Sequence, residues 1–92
     1  MTPQKAEELA LSVLGWLAAS DDMMGVFLGS SGSSIDSVRA QASDPAFLGS
    51  VLDFLLMDDS WVTAFCDANS VDYRQPMIAR QYLPGGDVPN WT

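Results

Sequence analysis

Residues Val13 to Asp21, VLGWLAASD, and residues Val51 to Asp59, VLDFLLMDD, carry one pattern twice. A segment that recurs at a fixed separation restricts architecture strongly, because whatever packs around the first copy should have a counterpart around the second. The separation is 38 residues, and it also pairs Ser12 with Ser50, Trp16 with Phe54, Leu17 with Leu55 and Phe27 with Phe65. Closing up two residues of the Ser/Gly stretch at 30–34 brings Ile35-Asp36 onto Val71-Asp72. Two histories fit this pattern. One is a duplicated three-helix unit, and the other is a pair of leucine-rich helices, each followed by an acidic cap, alike by composition alone.

The spacing within each copy is helical. Leu9, Val13, Trp16 and Leu17 form one stripe, broadened by Leu11 and Leu14, with Lys5, Glu8 and Ser12 on the far side. Thr2-Pro3 starts this first helix, which runs to about Ala19: a hydroxyl accepts from a free N–H, and the proline that follows has no donor to lose. Ser20-Asp21-Asp22 opens a short second helix to Leu28, ended by Gly29, and Ser33 or Ser34 caps a third over Ile35 to Ala42. Ser43-Asp44-Pro45 repeats the start logic of Thr2-Pro3.

The helix it opens is the most apolar in the chain, with polar character only at Gly49, Ser50 and Asp53, so it must be surrounded. It is predicted to pack on the first helix, with Gly15 and Gly49 permitting close approach. Asp58-Asp59-Ser60 caps a fifth helix to about Ala68 with Trp61, Val62 and Phe65 inward and Asn69 as a left-handed stop. A sixth runs from Asp72 to Leu83, where Pro76 is tolerable because it lies near the first turn. No stretch alternates with period two for long enough to form a strand. The fold predicted is all-α, a bundle of five to six helices over residues 1–84, arranged as two pseudo-repeated halves around two central apolar helices. A Pro/Gly tail follows at 85–92.

At 92 residues the chain is one domain, and 48% hydrophobic content against 17% charged is too apolar for intrinsic disorder. Twelve carboxylates against four cations leave a net charge of −8, which repels phosphate backbones and anionic membranes, so neither nucleic acid nor membrane is an expected partner. The apolar run at 9–20 ends in Ala-Ala-Ser like a signal peptide, but Glu7 and Glu8 precede it and its pattern returns in the chain interior. A cytoplasmic location is expected.

Chemistry is scarce. Histidine is absent, which removes the commonest general base and metal ligand. Cys66 is alone, excluding an intramolecular disulfide and a structural zinc site, and it lies beside Val62 and Phe65 as a buried thiol would. Asp21/Asp22 and Asp58/Asp59 sit at helix starts, where acidic residues serve as caps. Asp67 to Asp72 lacks the glycine and terminal glutamate of a calcium loop, and Gly29 to Ser34 lacks the lysine of a phosphate loop. No catalytic, cofactor-binding or metal-binding residue is therefore expected, and the chain is not expected to be an enzyme.

What remains is surplus apolar surface. Met23 and Met24 fall at the positions that the repeat assigns to Trp61 and Val62, and Trp91 stands alone on the tail. Methionine adapts to irregular surfaces and tryptophan anchors interfaces. These five residues are the candidate interaction sites, for a protein partner or a second copy of the chain, although the first four serve equally to close the ends of the core. The predicted role is a non-enzymatic protein–protein interaction module; the alternative is a bundle that binds a small molecule or lipid around its apolar central helix.

The helix AEELALSVLGWLA, the segment SDPAFLGSVLDFLLMDD and the ending YLPGG together resemble a small bacterial family, known mainly from alphaproteobacteria, domain of unknown function family 3572. The resemblance covers about Ala6 to Gly86, and DPAFLGSVLDFLL is its most specific part. It implies a short, helical, cytoplasmic protein and transfers no catalytic or binding residue.

Overall fold

The computed structural model describes residues 1–32 and 34–83. The predicted tail at 85–92, Trp91 with it, and the alternative cap Ser33 lie outside the described residues. Six helices follow one another: α1 (Pro3–Ala18), α2 (Asp21–Ser31), α3 (Ile35–Gln41), α4 (Pro45–Leu56), α5 (Asp59–Asn69) and α6 (Gln75–Gln81). Among the described residues there is no strand.

Side-chain caps set five of the six starts. Thr2 accepts from the Lys5 N–H at 3.2 Å, Ser20 from Met23 at 3.4 Å and Ser34 from Ser37 at 3.2 Å. Asp44 accepts from Ala46 at 3.0 Å and Asp58 from Ser60 at 2.8 Å. Each bond satisfies an N–H that has no carbonyl partner inside its own helix. Arg74, at the start of α6, makes no such bond.

Three ends differ from the sequence expectation. α2 passes through Gly29 and stops at Gly32, because Gly32 rather than Gly29 takes the left-handed conformation, φ 70°, that closes a helix. α5 holds Asn69 within its last turn, the Asn69 amide donating to the Phe65 carbonyl at 3.0 Å, and Ser70 takes the left-handed position at φ 56°. α6 begins at Gln75 rather than Asp72. The Asp72 carboxylate accepts from the Arg74 N–H at 2.8 Å, forming a turn that stands before the helix and places Pro76 in its first turn.

The two apolar helices α1 and α4 form the centre, packed on each other; α6 lies against both, α2 against α1 and α5 against α4. Leu48, Val51, Leu52 and Leu55 of α4 and Val13 and Leu17 of α1 are fully buried, as are Phe65 and, almost completely, Phe27. α4 buries Phe47 through Gly49 as well, leaving Ser50 and Asp53 as its exposed polar strip. Close packing of α1 comes from a different place than expected. Ala6 and Ala10 are fully buried, whereas Gly15 is exposed and a Cβ there would meet nothing within 4 Å. Leu11, assigned by spacing to the buried stripe, is 44% exposed.

Two of the aromatic contacts exchange under the 38-residue register. Trp16 meets Phe65 edge-on, ring centres 5.9 Å apart, and Phe54 meets Phe27 edge-on at 5.2 Å. Under the register Trp16 corresponds to Phe54 and Phe65 to Phe27. Each pair therefore joins a residue of one half to a residue of the other, and the two pairs exchange, as contacts across a twofold relation do. The third helices break the likeness, since α6 covers both central helices and α3 does not pack on them to the same extent.

Among the described residues no single helix is long and apolar enough to cross a membrane; α1 and α2 reach the composition only together, across a bend of 116°.

Candidate functional site

Leu11, Leu14, Gly15 and Ala18 stand at i, i+3, i+4 and i+7 on α1 and so form one stripe. α3 runs beside this stripe without closing on it. Between the two helices lies an open groove of about 400 Å³, lined by those four residues, by Met24 of α2, and by Ile35, Val38, Arg39 and Ala42 of α3 and its end. Its floor is apolar, with Val38 and Met24 buried and Leu14 nearly so. Its rims are apolar too: Leu11 is 44% and Ile35 46% exposed. Arg39 is the one charged side chain among the lining residues, and among the described residues it enters no ion pair.

Ile35 is the first residue of α3, directly after the Ser34 cap. One turn of α3 then carries Val38 inward and leaves Ile35 at the edge. From Leu11 to Ala18 the groove follows α1 for roughly 10 Å at 1.5 Å per residue.

Two of the three remaining basic side chains are engaged. Arg74 pairs with Asp72 on the surface. Arg80 of α6, largely buried at 14% side-chain exposure, grips Asp53 of α4 with both prongs of its guanidinium, Nη2 to Oδ2 at 2.9 Å. Lys5 contributes to a wide, polar cleft of about 760 Å³ in which Glu8, Leu9 and Ser12 of α1 face Gln75 and Ile78 of α6.

Several acidic residues act structurally. Asp58 caps α5, and its bonds from the Ser60 hydroxyl and N–H hold its carboxyl below the usual value; Asp72 is lowered likewise by the Arg74 side chain and N–H. Both groups titrate lower folded than unfolded. The stability they confer is therefore complete above the ordinary carboxylate value of 3.8 and lost as pH falls through their folded values. Thermal unfolding followed downward from neutral pH is expected to show the melting temperature falling in that acid range. Asp58→Asn, which keeps a capping oxygen but cannot titrate, is expected to make the fall shallower.

Cys66 is buried, and burial first, then the charges of Asp67 and Asp72, push its thiol up, away from the thiolate that a nucleophile needs. Its Sγ lies 3.7 Å from the Asp72 carbonyl. Tyr73 donates its hydroxyl proton to Asp67, which raises the phenol. This corner, a shallow concavity of about 550 Å³, has its charged and phenolic groups paired with one another, Tyr73 with Asp67 and Arg74 with Asp72. No group of three or more metal-ligating side chains occurs among the described residues.

Of the residues singled out in the sequence, Met24 is buried in the floor of the α1–α3 groove. Met23 and Val62 are half-buried against the core, and Trp61 stacks on Phe54 at 4.8 Å with the rings 25° apart. Sequence reasoning did not reach Leu11, Ile35 and Arg39 as a group. The available signal was width: the apolar arc of α1 is broader than its packed neighbours cover, and Leu11 is its outlying member.

Four helices around two apolar central ones, with an open apolar groove bearing an arginine, define a small all-α domain. The chain belongs to the family described as protein of unknown function (DUF3572), whose model matches residues 3–86. No curated protein and no solved structure matches it.

Proposed function

We propose that the protein is a non-enzymatic interaction module that holds an amphipathic helix of a partner protein in the α1–α3 groove. One observation carries the reading: a trough lined by core-quality residues stays open, with Leu11 and Ile35 left almost half exposed on its rims. Apolar side chains ranged along a groove between two helices suit the helix-in-groove mode, in which a partner inserts residues spaced about one turn apart. A groove roughly 10 Å long accommodates about two turns of such a helix. A small ligand is usually enclosed on most of its surface, and an open trough does not provide that.

Selection of displayed helical peptides, about four turns long, against the whole protein tests this. Enriched peptides are expected to be amphipathic and to lose about tenfold or more in affinity for Leu11→Glu or Ile35→Glu, rim changes that leave the helical circular dichroism intact. Failure to enrich any peptide, or enrichment of peptides indifferent to both changes, would count against the groove.

A further inference from the structure

Resting on the docking role given to the α1–α3 groove, we infer that the helix seated there presents a carboxylate to Arg39 in the open space above Gly15. The argument is a comparison of the two halves. Each third helix carries a single arginine directly after a buried residue, Val38-Arg39 in α3 and Ala79-Arg80 in α6. On the α6 side the guanidinium closes on Asp53 of α4. The 38-residue register aligns Asp53 of α4 with Gly15 of α1. Gly15 and Arg39 line the same groove, and a Cβ on Gly15 would meet nothing within 4 Å. The register places Arg39 on Gln75 rather than on Arg80, so the likeness is one of place and not of sequence: the α1–α3 side has an arginine lining its groove, and glycine where α4 carries Asp53.

Arg39 is without an ion pair among the described residues, although the chain carries a net charge of −8. Beside an apolar floor a guanidinium prefers a carboxylate, which it binds through two parallel charge-assisted hydrogen bonds. The same position repels lysine. The partner class follows: an amphipathic helix with two or three apolar anchors and one Asp or Glu on the flank that faces α3. A second copy of this chain is a poor occupant, since two molecules at −8 repel each other. A long-chain fatty acid shares the carboxylate, but the open trough would leave much of its acyl chain in water.

Helical peptides selected on the wild-type protein are the probes. They are expected to carry Asp or Glu at one fixed place relative to their anchors, and changing that acid to its amide should weaken binding about 10- to 100-fold. Arg39→Glu should lose as much and recover when the peptide acid is replaced by lysine. Gly15→Asp supplies on α1 the carboxylate that α4 supplies at Asp53, so it should abolish the acid dependence, while Gly15→Ala retains it.

Peptides that need Leu11 and Ile35 but show no acid preference, or that bind Arg39→Glu and Gly15→Asp unchanged, overturn this inference and leave the docking role standing. No groove-dependent peptide at all overturns both, as does Arg39-dependent capture of a fluorescent long-chain fatty acid in place of the peptides. A dimer lost in Leu11→Glu reassigns the groove to a second copy and overturns the inference.

Discussion

Phe65→Ala is expected to remove about 3–5 kcal/mol of folding stability, the cost of emptying a fully packed aromatic site. Phe65 has no solvent exposure and meets Trp16 edge-on across the two halves. Cavity and lost edge contact therefore act at one point, and the contact alone is worth about 0.5–1.5 kcal/mol. A domain of 92 residues has roughly 5–14 kcal/mol in all. The substitution is thus expected to shift urea unfolding far enough to leave part of the population unfolded near 37 °C. Phe27→Ala empties the corresponding site, where Phe27 meets Phe54, and should cost a similar amount. Urea titration of both variants checks this; a loss under 1 kcal/mol at Phe65 would mean that the site collapses around the missing ring.

The opposite sign is expected from the helical glycines. Gly15, Gly25 and Gly29 lie inside α1 and α2, none takes a positive φ, and a Cβ at each would meet nothing within 4 Å. Alanine there reduces the conformational entropy that the unfolded chain loses, at no steric cost, and each exchange is worth about 0.8–1.0 kcal/mol. The triple variant Gly15→Ala, Gly25→Ala, Gly29→Ala should gain about 2–3 kcal/mol and melt roughly 10–20 °C higher. Differential scanning calorimetry reads both quantities. Gly32→Ala serves as the contrast: at φ 70° the added methyl group is strained, so that variant should melt lower than the parent.

Much of the fold was legible because capping and helical spacing are local. Thr2, Ser20, Ser34, Asp44 and Asp58 each cap the helix their position announced, and α4 lies at the centre as its composition requires. Left-handed stops were harder to place. Gly29 and Gly32 are equally able to adopt φ > 0 in isolation, so residue type alone does not tell that Gly32 closes α2. The close face of α1 was missed for another reason. Ala6 and Ala10 bury little area, so they barely register in an apolar pattern dominated by leucine, yet their small size is what suits a tight interface.

The groove lay beyond reach of the repeat itself. The likeness of the two halves predicts equivalent surroundings for α1 and α4, and only the arrangement in space shows that α6 covers both while α3 stands off. Arg39 and Gly15 are unremarkable in sequence. They acquire meaning only once the fold brings both to one groove, as it brings Arg80 to Asp53 on the other side.

The packing of α1 against α4 and α6 also sets a clock. Ala18 closes α1, but the α6 segment that helps to cover it ends only around Leu83, 65 residues later. At about 5–20 residues per second of synthesis, that interval lasts roughly 3–13 s. For that time Val13, Trp16 and Leu17 belong to a helix whose full set of neighbours does not yet exist, and the nascent chain offers them to whatever binds apolar helices near the ribosome.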